Sequence, residues 1–295
     1  IVLEKFLNKK NHFIIIGAWI GFIPSLVYKL INNKLSNYFI GLDNRTNALS
    51  CNLELSRPKT AFEKLQANKA AQLIFNSIGS LNESDNLFIW GEPNLCESIL
   101  FLAKKHNIKT VVAIEHINRG GLAIPSTKDI IEVIKIFNPE FLSVKIYFEK
   151  NRSKLAEELA IERLINLSDI CRTYNKNLII DIDYNFNLNK NKNHSEKEAI
   201  LFGLENLISK GINPELWGIR KTGDDSFDQT LIALINLENE NSNKCVLEFP
   251  HNQKNPNLHP ELSIQNYVLN GEIFLNSLIA WSTKQASDNE TIEKI

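Results

Sequence analysis

From Leu49 onward the chain repeats one pattern, a short apolar run followed by a longer amphipathic stretch, and this alternation restricts the fold more than any other feature. Eight strands are predicted: "LSCNLE" (49–54), "LFIW" (87–90), "TVVAIE" (110–115), "FLSVKIYF" (141–148), "LIIDID" (178–183), "LWGIR" (216–220), "CVLEF" (245–249) and "EIFL" (272–275). Between them, periodicity predicts helices over 61–77, 95–106, 128–137, 153–174, 196–210 and 227–237. Runs such as "TVVAI" are apolar on both faces, as parallel strands covered by helices must be. Eight such units in about 250 residues predict an α/β fold, a closed (β/α)8 TIM barrel. An open doubly wound sheet is the alternative arrangement of the same units.

Residues 1–45 stand outside this count and are read as an N-terminal extension, with the barrel spanning 46–295. The extension contains "FIIIGAWIGFIPSLVY" (13–28), which carries no charge. Gly17, Gly21 and Pro24 interrupt it and Lys29 ends it. A bilayer helix needs about 20 apolar residues, so a strand, turn and helix in a soluble protein are expected, with no membrane partner. The "GAWIG" within it lacks the third glycine and the acidic partner of a dinucleotide fingerprint. The Asn- and Lys-rich stretch 185–198 is expected to be a mobile loop after strand five.

Charge narrows the partners. Lys and Arg number 33 against 34 Asp and Glu, giving a net charge of -1, so no basic field favours nucleic acid. Cys51, Cys96, Cys171 and Cys245 are far apart, with no C-x-x-C pair, which points away from a disulfide framework or a zinc site and toward a reducing cytoplasm. Glu248, His251 and His259 make no metal-ligand spacing either, and no cofactor is expected.

In a barrel of this kind chemistry sits at the carboxyl ends of the strands. Those ends are polar here: Glu54, Glu92, Glu115 with His116, Lys145 with Tyr147, Asp181 with Asp183, Arg220 with Lys221, Glu248 with His251, and Glu272. Most polar strand ends are merely solvated or paired. Lys145 differs, because it lies between Val144 and Ile146 in an apolar strand and needs a carboxylate partner on a flanking strand, Glu115 or Asp181. Alternation puts Ser143, Lys145 and Tyr147 on one face of strand four, and Asp181 with Asp183 on one face of strand five.

Several longer segments carry a resemblance. "LFIWGEPNLCESILFLAKKHNIKTVVAIEH", "FNPEFLSVKIYF", "LINLSDICRTYNKNLIIDI", "GLENLISKGINPELWGIRK" and "LIAWSTKQASDNETIEKI" together resemble the aldolase-like domain that follows the sugar kinase in bacterial 5-dehydro-2-deoxygluconokinases of myo-inositol catabolism. More remotely they are similar to tagatose-bisphosphate aldolase. The resemblance runs from about Arg57 to the end. It implies a class I aldolase barrel that splits a phosphorylated keto sugar acid, such as 2-deoxy-5-keto-gluconate 6-phosphate, to dihydroxyacetone phosphate and malonate semialdehyde. It also implies catalytic roles for Lys145, Asp181 and Glu115, and substrate binding by Arg57. Glu92, Arg220 and His251, from the polar strand ends, are the further candidate substrate contacts read from the residues themselves. A small phosphorylated sugar or sugar acid is then the partner, alongside self-association as a homo-oligomer.

One position departs from the family. Its strand-six motif, Trp-Lys-Ile-Glu, falls on Trp217, Gly218, Ile219 and Arg220, so the imine-forming lysine is replaced by glycine. Lys221 changes face and cannot simply take over, and Arg220 offers no free amine. Two function classes therefore stand side by side. One is a carbon–carbon lyase using Lys145 as base or alternative amine; the other is a barrel that binds a sugar phosphate without catalysis.

Overall fold

The computed structural model describes residues 40–44, 60–78, 87–114, 124–147, 154–183, 194–220, 224–236, 245–248, 266–270, 284–285 and 287–294. The strands are β1 (Ile40–Asn44), β2 (Leu87–Gly91), β3 (Lys109–Ala113), β4 (Phe141–Tyr147), β5 (Asn177–Asp183), β6 (Leu216–Arg220), β7 (Cys245–Glu248) and β8 (Asn266–Asn270). They pair in sequence order, all parallel, and β1 pairs with β8 to close the barrel. Among the described residues the helices are α1 (Ala61–Ile78), α2 (Pro93–Lys105), α3 (Thr127–Phe137), α4 (Lys154–Thr173), α5 (His194–Ser209), α6 (Asp225–Asn236) and α7 (Asp288–Lys294).

Strands two to seven lie where the apolar runs predict them, within a residue or two. The ends of the barrel do not. The first strand is "IGLDN", inside the segment read as an N-terminal extension, so the barrel begins before residue 46. The eighth strand of the closed barrel is "NYVLN", which precedes the expected "EIFL" in the chain. Both are short and contain Asn, and they are selected by closure: Ile40 registers with Leu87 on one side and with Tyr267 on the other. Each is hydrogen-bonded to a neighbour on both sides, as closure of a barrel requires. The segments 49–54 and 272–275 lie outside the described residues, as does the apolar stretch 13–28. None of the described helices is long and apolar enough to cross a membrane.

Alternation along each strand sorts the core into two clusters. Phe88, Trp90, Val111, Ala113, Phe141, Ile179 and Leu216 pack together inside the barrel. Their neighbours in sequence, among them Ile89, Val112, Leu142, Val144, Ile180, Trp217 and Ile219, join the larger cluster under the helices, with Ile99, Ile134, Leu164, Leu204 and Leu231. The double apolarity of the strands thus has its cause in two buried faces.

Local chemistry ends the helices where the sequence provides caps. Ser126 Oγ accepts the Asp129 N–H at the start of α3, and Asn138 takes the left-handed conformation at its end, φ 45 and ψ 52. At α7, Ser287 Oγ accepts the Glu290 N–H while the Glu290 carboxylate accepts the Ser287 N–H, a reciprocal capping box. That helix is tied back to α1 through Lys69 and Asp288, 2.7 Å apart. The stretch expected as a loop over 185–198 is helical from His194 on. His194–Glu198 form the first turn of α5, since the amphipathic pattern extends further back than its polar composition suggests.

Candidate functional site

Lys145 is the fifth of seven residues in β4, and Asp181 the fifth of seven in β5. They are register partners, and the row continues to Gly218 of β6 and Val246 of β7. Lys145 shares strand parity with Phe141, and Asp181 with Ile179, so both belong to the inner face of the barrel. The Lys145 Nζ stands 3.7 Å from Asp181 Oδ2, and the two side chains are only 7% and 5% exposed. An ammonium and a carboxylate removed from water to this degree are stable only as a pair. The expectation that Lys145 needs a carboxylate on a flanking strand is met by Asp181.

Gly218 completes the row. A Cβ placed on it would stand 2.7 Å from Asp181 Oδ1, 3.0 Å from Asp181 Cα and 3.2 Å from Asp181 Cβ. The first distance is below any ordinary contact and the second is to backbone. The space that a side chain on strand six would fill is therefore occupied by the Asp181 carboxyl. Reading the glycine only as a lost lysine overlooks this; glycine within a strand marks close approach of a neighbouring group.

Below this row the barrel interior is closed by a polar link. Ser143 Oγ accepts the indole N–H of Trp90 at 2.7 Å, and both residues are fully buried, so the only polar atom of the indole is satisfied within the core. The sequence places Ser143 on the lysine's face but gives no sign of its partner on β2, which is a matter of register across the intervening β3.

The remaining expected site residues divide plainly. Glu92 lies at the junction of β2 and α2, half-buried, where its carbonyl accepts the Cys96 N–H; its side chain does not cap α2. Arg220 ends β6, in register with Glu248 of β7. Glu115, Arg57 and His251 lie outside the described residues, as does Lys221. No group of three or more His, Cys, Asp or Glu side chains that could hold a metal occurs among the described residues.

A second polar contact joins the loops at the carboxyl end of the barrel. The Lys197 ammonium, in the first turn of α5, hydrogen-bonds Asp224 Oδ2, while Asp224 Oδ1 accepts the Phe227 N–H and caps α6. Lys197 also lies over the Phe227 ring, 5.3 Å from its centroid. The hydrogen bond from Lys197, followed by that from Phe227, holds the Asp224 carboxyl below the usual carboxylate range.

Three described cysteines, Cys96, Cys171 and Cys245, are buried free thiols. Burial pushes the Cys171 and Cys245 thiols up to about 12, a backbone hydrogen bond offsetting part of the effect at Cys171. Neither is a nucleophile at neutral pH.

No protein-family model matches the chain, and no curated protein matches it in sequence. Solved structures similar to it include a xylose isomerase domain-containing protein of Salmonella typhimurium, at 10% identity and TM-score 0.41, over 88% of this chain and 95% of the other. The triosephosphate isomerase of Bartonella henselae aligns at 11% identity and TM-score 0.43, over 82% and 98%. N-isopropylammelide isopropylaminohydrolase of Burkholderia multivorans aligns at 10% identity and TM-score 0.45, over 86% and 72%. The barrel itself is established by its strand register, and its chemistry has to be read from the row Lys145, Asp181 and Gly218.

Proposed function

We propose that this chain is an aldolase-like barrel of the class I type, a carbon–carbon lyase acting on a phosphorylated keto sugar acid such as 2-deoxy-5-keto-gluconate 6-phosphate. The observation that carries the reading is the buried Lys145–Asp181 pair on adjacent strands, with both residues in the carboxyl half of their strands. These are the positions where the resembling aldolase domains have a lysine and a carboxylate. A retro-aldol cleavage needs a group to take the hydroxyl proton and a cation to hold the electrons released from the breaking bond, and a Lys–Asp pair has the elements of both. Arg57, Arg220 and His251 are the proposed contacts to the phosphate and carboxylate, with Glu115 as a further proton carrier. The buried free thiols accord with a reducing compartment such as the cytoplasm.

A second reading is favoured by Gly218, where the resembling domains have the imine lysine: a barrel that binds the same class of ligand and has lost the cleavage step. One experiment separates the two. The full chain is incubated with 2-deoxy-5-keto-gluconate 6-phosphate, dihydroxyacetone phosphate is measured with a coupled reductase, and binding is titrated by calorimetry in parallel. Release of dihydroxyacetone phosphate that disappears in Lys145→Met supports the lyase. Binding without release supports the second reading, and absence of both removes each of them.

A further inference from the structure

We infer that Lys145 itself is the imine-forming amine of this barrel, and that Asp181 is the group that receives and returns its proton from the space Gly218 leaves open. This rests on the proposed action on a keto sugar phosphate and specifies where the covalent chemistry occurs.

The geometry supplies three conditions. First, an amine must lose its proton to attack a carbonyl, and Asp181 Oδ2 is 3.7 Å from the Lys145 Nζ. In a site so poorly exposed, desolvation narrows the gap between the charged pair and its neutral form, a free amine beside a carboxylic acid. Second, the carboxyl must be held close to the lysine, and it is, packed against the strand-six glycine with Oδ1 at 2.7 Å from where a Cβ would stand. Third, residue 218 supplies no amine to the row from β6, and a side chain there would displace the Asp181 carboxyl from its present position. The glycine is thereby a positioning residue, and its lack of a side chain is what it contributes.

The step balances without a further reactant. The ammonium gives one proton to Asp181, and the Nζ lone pair attacks the ketone carbon. A C–N bond forms, the carbonyl π bond breaks, and the oxygen takes the proton back from the Asp181 carboxyl. The carbinolamine then loses its oxygen as water, using a second proton from the nitrogen. The sum is an ammonium plus a ketone giving a protonated imine plus water, with charge conserved.

The test uses the full chain with dihydroxyacetone phosphate as the ketone and sodium borohydride as the trap, followed by proteolysis and mass spectrometry, with binding of the same probe measured by calorimetry. The expected result is a reduced adduct on Lys145. Asp181→Asn, nearly isosteric, should slow trapping by about 100-fold while the probe still binds. Gly218→Ala, which crowds the carboxyl, should slow trapping in the same direction, with circular dichroism showing the fold intact. An adduct on another lysine, or binding with no adduct, overturns the inference but leaves a sugar-phosphate site standing. Absence of binding overturns both. Unchanged trapping in Asp181→Asn would remove the proton role and leave Lys145 as an amine activated by other means.

Discussion

The carboxyl of Asp181 on β5 lies where a side chain of residue 218 on β6 would begin, with Oδ1 2.7 Å from the position of the missing Cβ. Glycine at this point is therefore a packing requirement of the lysine–aspartate pair as well as a departure from an aldolase motif.

Gly218→Ala tests the packing directly. Overfilling a tight core position costs about 1–3 kcal/mol, against the roughly 0.4–1 kcal/mol that losing glycine's freedom in the unfolded chain returns. The substitution should lower the urea midpoint with the slope unchanged. A midpoint equal to or above wild type would mean that β5 and β6 part easily and that the close approach has no energetic weight.

The buried pair should be strongly non-additive. Lys145→Met or Asp181→Leu alone takes a buried charge away from its partner on the neighbouring strand and should cost up to about 3–5 kcal/mol, whereas the double variant should recover most of it, since apolar replacement of a buried pair is often neutral. A double-mutant cycle by chemical denaturation measures this. Losses that simply add would show that the two groups do not depend on each other.

Ser143→Ala removes the acceptor of the Trp90 indole N–H inside the barrel. A buried donor left without a partner costs about 1–3 kcal/mol, so the variant should unfold at lower denaturant, while Ser143→Thr retains the hydroxyl and tests crowding instead. Equal stability of Ser143→Ala and wild type would place another acceptor within reach of the indole.

Asp224 gives a pH signature. Its folded pKa is depressed by Lys197 and by the α6 cap, so the stabilisation is fully present above the ordinary aspartate value of about 3.9 and is lost as pH falls through the lower folded value. Asp224→Asn keeps a capping oxygen but removes the charge, and should flatten this acid limb of the stability profile. An acid limb identical to wild type would show that the Lys197 contact contributes nothing in solution.

Cys171 and Cys245, with thiols raised by burial to about 12, should stay unmodified by a disulfide reagent at pH 8 in the folded chain and react once it is unfolded in urea. Peptide mapping reads both sites. Rapid labelling of either in the folded chain would mean that the α4 or β7 packing opens readily.

The inner strands, the helices between them and the need of Lys145 for a carboxylate are legible in the residues alone. Each of these has a local physical cause: apolarity on two faces marks a covered parallel strand, and a charge among Val144 and Ile146 demands compensation wherever the chain goes. Where the barrel closes and what the glycine makes room for emerge from contacts between distant strands. "IGLDN" and "NYVLN" are strands because the cylinder needs edges paired on both sides, a condition set by neighbours more than 200 residues apart, as Ile40 and Tyr267 are. Gly218 is written in the sequence as an absence. That Asp181 fills it depends on the register of β5 against β6, which sets residue 181 beside residue 218 although 37 positions separate them in the chain.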